Sequence, residues 1–229
     1  NPNGVVTGQV KSFVGNPVPG TIVTLTPTIG TSGIFAGDDM AFAEYSTAYP
    51  RTQFTLSTWV KLGAGNDNAA IFDLGSTISK NWWLHTLPAA DGKGIRFGMG
   101  NGVGPAPGGM TEMDYAFPAA TADDWHNIAV TYNGSSLLLY ADGELIWTAV
   151  ASVEADSIPL FFGRKANETG FYTGNIDEVR FFDRQLSQTE IQMFMNRTVA
   201  PDMDGLVNYW KFDEGTGSKT FDLTPAKQK

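Results

Sequence analysis

Asp124-Trp125-His126-Asn127-Ile128-Ala129-Val130-Thr131-Tyr132, closed by Asn133-Gly134 and followed by Leu137-Leu138-Leu139-Tyr140-Ala141-Asp142-Gly143-Glu144-Leu145-Ile146-Trp147, decides the fold class. Apolar side chains at 128, 130 and 132 alternate with Asn127, Ala129 and Thr131, the period of a strand that turns one face inward. Each run ends in a Gly-containing turn, so the segment reads as consecutive antiparallel strands joined by hairpins. Short alternating runs of this kind predict an all-β chain built as a two-sheet antiparallel sandwich.

Composition agrees and narrows the function. A chain of 229 residues, 42% hydrophobic and 17% charged, is long enough for one large β domain that buries about 70% of its unfolded surface. Cysteine is absent, which removes disulfides, thiolate zinc sites and a cysteine nucleophile. A formal charge of −9 argues against nucleic acid or an anionic membrane as partner, because both demand a basic face. No apolar run approaches the roughly 18 residues that span a bilayer. The first residues carry no basic region followed by an apolar one, so the chain reads as an excised module or a mature product. Sequon tripeptides stand at Asn133, Asn167 and Asn196.

Outward from the opening stretch, Phe54-Thr55-Leu56-Ser57-Thr58-Trp59-Val60-Lys61 predicts a strand with Phe54, Leu56, Val60 and Leu62 on one face and Trp59 on the other. Ala70 to Leu74, Trp82 to Leu87, Gly94 to Met99 and Thr173 to Phe182 supply further strands. Gly100 to Asp124, rich in Gly, Pro and Ala, reads as a long loop. Ser187 and Glu190 have capping-box spacing, which predicts one short helix with Ile191, Phe194 and Met195 on one side. Residues 1–30, with the turn Gly15-Asn16-Pro17-Val18-Pro19-Gly20, read as a linker or as accessory strands laid on the main domain, residues 31–229.

These motifs, in this order, resemble the laminin-G-like, concanavalin-A-type jelly rolls. The family's "W-H-x-V-A-V … L-Y-V-D-G" pattern matches the opening stretch. Its "F-T-I-S-x-W-V-K", "G-x-I-D-E-V-R-I-Y" and "L-S-x-x-E-I" segments match Phe54–Lys61, Gly174–Phe182 and Leu186–Ile191. Gly37-Asp38-Asp39-Met40-Ala41-Phe42 takes the place of its "F-D-G-x-D-D-Y-V" opening. One motif departs: Gly205-Leu206-Val207-Asn208-Tyr209-Trp210-Lys211-Phe212-Asp213-Glu214-Gly215-Thr216-Gly217 precedes that opening in the family but stands at the C-terminal end here. It is either a truncated second repeat or, in a permuted order, a strand at 205–213 that completes the same sandwich. The second reading is preferred, because Leu206, Tyr209, Trp210 and Phe212 would otherwise expose a large apolar surface.

Enzymes share this jelly roll, and their chemistry places demands on its acidic residues. Retaining glucanases of the fold carry an E-x-D-x-x-E strand whose carboxylates lie about 5 Å apart. Asp177 and Glu178 are adjacent and point to opposite faces; Glu112 and Asp114 have the spacing but no third acid, and fall in the expected loop. His126 reads as a hydrogen-bonded sandwich residue. No catalytic residue is assigned.

Sugar recognition needs aromatic faces flanked by polar groups. Of the adjacent pair Trp82 and Trp83, one must face outward. His85 lies beside them, and Arg164, Asn167 and Tyr172 lie on the loop before the strand at 173, so these six form the expected ligand rim. The resemblance implies a calcium site joining Asp38 or Asp39 to Asp177, whose carboxylate oxygens suit a hard cation. The expected function is a non-catalytic carbohydrate-binding or adhesion module of a larger secreted or cell-surface bacterial protein, calcium-stabilised, with a glycan or cell-surface polysaccharide as partner. A glycoside hydrolase or polysaccharide lyase of the same fold, or a structural protein-binding spacer, is the alternative.

Overall fold

The computed structural model describes residues 32–38, 40–43, 52–74, 82–100, 110–152, 159–214 and 220–225. The linker or accessory strands expected at 1–30, and Asp39, lie outside them. In chain order the strands are β1 (Gly33–Ala36), β2 (Ala41–Ala43), β3 (Phe54–Leu62), β4 (Ala70–Leu74), β5 (Trp82–Thr86) and β6 (Gly94–Gly100). They continue with β7 (Met110–Ala116), β8 (His126–Tyr132), β9 (Ser136–Ala141), β10 (Glu144–Val150), β11 (Leu160–Phe162), β12 (Thr173–Phe182) and β13 (Leu206–Trp210). The helix α1 spans Gln188–Phe194. No helix among the described residues is long and apolar enough to cross a membrane.

Two antiparallel sheets result. One has the order β1-β12-β3-β8-β9-β10 with β13 also on β12; the other is β2-β11-β4-β5-β6-β7. The hairpin β8-β9-β10 is the opening stretch of sequence, its turns closed by Gly134 and Gly143. Between the sheets, alternate residues of both interlock. Trp82 of β5 stacks on Phe54 of β3 at 4.8 Å and meets Phe181 of β12 at 5.3 Å and Phe72 of β4 at 5.8 Å. One indole thus bonds four strands across both layers, and burial of such aromatics dominates core energetics.

The outer face of the seven-stranded sheet is also filled. Tyr140, Phe182, Leu186, Ile191, Phe194, Val199, Leu206 and Tyr209 form a second apolar cluster under α1. Trp59 faces this side, as the strand parity predicts, and its indole N–H donates to Met195 O at 2.8 Å. The capping box is complete: Ser187 Oγ accepts from Glu190 N, and the Glu190 side chain accepts from Ser187 N. Buried Arg180 closes the helix end from below, donating to Phe194 O and Arg197 O and pairing with Glu178. Glu178 sits at a register break in β12 with φ 51°, so the Asp177-Glu178 step is a bulge that re-aims both side chains.

The 100–124 segment is not all loop. Residues 110–116 form β7 on the edge of the six-stranded sheet, with Met113 and Tyr115 against the core and Glu112 and Asp114 exposed. The alternation of Thr111, Met113 and Tyr115 with two acids is the two-residue period of an edge strand.

β13 and β1 share one side of β12. Leu206 stands opposite Phe182 and Trp210 opposite Val179; then Gly33 stands opposite Ile176 and Ala36 opposite Thr173. They run the same way, end to end, and Phe212 bridges the join: its ring lies on Gly33 and packs against Phe35 and Phe162. The two segments make one composite strand.

Candidate functional site

With α1 on the seven-stranded sheet, no described helix or strand is left to cover the outer face of the six-stranded one. Strand parity decides what that face carries. On β5, Trp82 and Leu84 enter the core, so Trp83 and His85 project outward. Cross-strand register then sets two rows: Phe42, Phe161, Asp73, Trp83, Gly98 and Glu112 in one, His85, Arg96 and Asp114 in the next.

The centre of the face is dense. Trp83 stacks on His85 with ring centroids 4.2 Å apart, and its indole lies so flat across Gly98 that a Cβ there would fall 2.3 Å from Trp83 Cζ2. His85 Nε2 is 3.3 Å from Asp73 Oδ2. Burial, outweighing that carboxylate, holds the imidazole below its ordinary value, so His85 is neutral at physiological pH. Beside them, Arg96 donates from Nε and Nη2 to the two oxygens of Asp114, both at 2.6 Å, which lowers the Asp114 carboxyl's pKa. Toward the β2 edge, Phe42 tilts against Phe161 at 6.4 Å, and the Arg164 guanidinium lies 4.9 Å above the Phe161 ring. Arg164 pairs with Glu168 at 3.2 Å while its Nε is buried without a partner.

The expected rim residues divide accordingly. Trp83, His85 and Arg164 lie on one face. Trp82 is a core residue. Tyr172 is fully buried as well, its hydroxyl donating to Lys61 O at 2.9 Å; the residue parity of the run into β12 turns it inward and leaves Phe171 exposed. Asn167 is exposed, its Oδ1 accepting from Thr169 Oγ1 at 2.6 Å. Trp83 is not an open platform, since only 6% of it is accessible; the open aromatic is Phe42, 50% exposed. Sequence reasoning missed Phe42, Phe161, Asp73 and Arg96. Phe42 and Phe161 sit on strands of three residues, too short to show a period, and Asp73 hides inside the apolar run of β4.

The calcium expectation rests on Asp38 and Asp177. Asp38 is exposed. Asp177 Oδ1 already accepts from Glu178 N at 2.8 Å, and burial, with Glu178 and Asp213 nearby, pushes its carboxyl up to about 7. No three acidic or imidazole side chains among the described residues gather as a metal cage. The described donors therefore do not complete a calcium site.

Two further arrangements were tested for chemistry. Glu112 and Asp114 do share a strand face, contrary to the loop expected for them. The position that would complete E-x-D-x-x-E is Phe117, a buried apolar residue, and Asp114 is held anionic by Arg96, whereas a general acid needs a raised pKa. A cleft of about 220 Å³ at one end of the sandwich is lined by Leu62, Asn66, Thr86, Leu87 and Lys93 among others. Its polar groups are spent on the fold: Asn66 bonds both Thr173 N and Thr173 O at 2.8 Å, Thr86 Oγ1 accepts from Ala69 N, and Lys93 pairs with Asp123.

A family model described as the concanavalin A-like lectin/glucanases superfamily, laminin G type, matches residues 35–192. No curated protein sequence matches the chain. Among solved structures, a candidate carbohydrate-binding protein from Bacteroides ovatus aligns at 19% identity and TM-score 0.64, over 85% of this chain and 55% of that one. The binding domain of Paraclostridial Mosquitocidal Protein 1 aligns at 14% identity and TM-score 0.54, over 73% and 47%. Domain 4 of AbnA, an extracellular arabinanase of Geobacillus stearothermophilus in complex with arabinotriose, aligns at 17% identity and TM-score 0.54, over 78% and 82%. At these identities the likeness is one of fold. The chain spans about half the length of the first two of these structures.

Proposed function

The chain belongs to the concanavalin A-like lectin/glucanases superfamily, and from that premise we propose that it is a non-catalytic carbohydrate-binding module of a larger extracellular or cell-surface protein. The observation that carries this reading is the outer face of the six-stranded sheet. There an aromatic ledge, Phe42 and Phe161, adjoins a patch of fixed polar groups, Asp73, His85, Arg96 and Asp114. Aromatic rings take the apolar side of a pyranose, and polar groups already held by their neighbours bind hydroxyls at little entropic cost. Two structures of like fold, one a candidate carbohydrate-binding protein and one in complex with arabinotriose, support the same reading. Against hydrolysis stands the chemistry of the acid pair Glu112 and Asp114 on the face, since Asp114 is paired with Arg96.

A glycan array followed by titration calorimetry tests the proposal. Binding should weaken at least tenfold in Phe161→Ala, and in Gly98→Ala, which displaces Trp83 without touching the core. Turnover of any polysaccharide by the protein would overturn the non-catalytic reading, and an array without hits would overturn the module reading. A structural calcium ion at the Asp177 end is a separate proposal. Melting in calcium and in chelator decides it: a higher midpoint with calcium supports the ion, and coincident curves refute it.

A further inference from the structure

Two of the cations at this face have a carboxylate in contact, Arg96 with Asp114 and Arg164 with Glu168, while the neutral His85 lies on Asp73. Lys165 differs. Its backbone closes the turn after β11, with Lys165 N donating to Thr169 O at 2.9 Å and Lys165 O accepting from Glu168 N at 3.0 Å. Its stem crosses Gly170 so closely that a Cβ there would lie 2.7 Å from Lys165 Cε. Gly170 O in turn accepts from Ala70 N at 2.8 Å, and Ala70 stands opposite His85. The stem is therefore laid toward the Asp73, His85 and Arg96 patch, where its ammonium makes no hydrogen bond or ion pair among the described residues. Burial lowers its pKa, with Asp73 and Asp67 opposing and Arg96 adding to the fall.

A partly desolvated ammonium unpaired among the described residues is costly to keep, and an anionic group delivered by a ligand removes that cost. A sugar hydroxyl cannot supply the charge; a carboxylate can, through a charge-assisted hydrogen bond. We propose that Lys165 selects sugars bearing a carboxylate, uronate residues of a polysaccharide, at the face assigned above. This inference rests on the carbohydrate-binding reading and narrows it to a ligand class. The net charge of −9 repels a polyanion at long range, but that repulsion is screened beyond about 8–10 Å at physiological ionic strength, whereas a contact pair at a half-buried site is screened much less.

The test compares the full chain on polygalacturonate, alginate and glucuronoxylan, each beside its carboxyl-reduced counterpart, by affinity electrophoresis and calorimetry. At least tenfold tighter binding to one of the acidic polymers than to its reduced form is expected, with the preference weakening as salt rises. Lys165→Met, which keeps the stem over Gly170, should erase the preference while leaving binding to the reduced polymer unchanged; Lys165→Arg should retain it. Equal binding to both forms would sink the uronate inference and leave the module reading standing. Binding to neither form of any polymer would sink both. A preference that survives Lys165→Met would also overturn the assignment.

Discussion

His126 is held between two acceptors. Nδ1 is 2.8 Å from Asp142 Oδ2 and Nε2 is 2.9 Å from Thr121 O, with Phe117 stacked on the ring at 3.9 Å. A carboxylate and a carbonyl both want a proton, and only the imidazolium offers two. Burial opposes that charge, but the Asp142 and Thr121 bonds outweigh it, and the pKa rises from 6.5. A raised folded value means stability that is fully present below the unfolded pKa and lost as pH climbs through the folded one. Asp177 works in the same sense: burial first, then Glu178 and Asp213, lift it from 3.8 to about 7, so the fold loses stability as pH rises between those values. Melting midpoints should therefore fall from about pH 6 to about pH 8, with His126→Gln flattening the upper part of the curve. Asp177→Asn should add about 1–2 kcal/mol near pH 8, a figure discounted for its partial exposure, and nothing near pH 4. Equal gains at both values would mean that Asp177 is not protonated by the fold.

Strand identity was largely readable from the chain because side-chain type alternates along it even where both faces are buried. On β3, Phe54, Leu56, Val60 and Leu62 join the core between the sheets while Thr55, Ser57 and Lys61 lie on the other face. What the period does not say is which layer a face meets. Trp82 and Trp83 were separable by parity alone, yet only the arrival of Phe54, Phe72 and Phe181 makes Trp82 the one that enters the core between the sheets. Trp82→Ala should accordingly cost about 3–5 kcal/mol, read by denaturant unfolding; a loss below 1 kcal/mol would place the core elsewhere. The helix was legible from its cap, and Ser187→Ala should cost about 1 kcal/mol by the same measurement. β2, β11 and the Lys165 turn were not legible, because strands of three residues have no period and the turn's stem meets the sheet roughly 95 positions from Ala70. The face that they build was hidden for that reason, while His85, Trp83 and Arg164, its members on well-marked segments, were visible.

At the scale of the molecule the two sheets are dressed unequally. The helix and the turn after it seal one outer surface with Phe182, Ile191 and Phe194, and among the described residues the other carries charged and aromatic side chains. Under the proposed function this asymmetry gives the molecule a back and a front, the second being the side that would meet ligand. It also separates the tasks of the residues, so that substitutions at Phe161 or Lys165 are expected to change affinity with the melting midpoint held within a few degrees. A fall in the midpoint that tracks the loss of affinity would show that the front is structural after all.

The composite strand has a kinetic corollary. Its two halves, Gly33–Ala36 and Leu206–Trp210, come from segments roughly 170 residues apart in the chain yet zip onto the same strand. Closing so long a loop costs about 3 kcal/mol more than closing a hairpin of a few residues. That seam should be the last part of the molecule to assemble and the first to breathe, with amides at 33–36 and 206–210 exchanging before those of β3 and β8. Splicing the segment around Phe212 directly to Gly33 and opening the chain at the Asn133-Gly134 turn should then speed folding while reproducing the same sandwich, since the contact between Phe212 and Gly33 would become a short covalent connection.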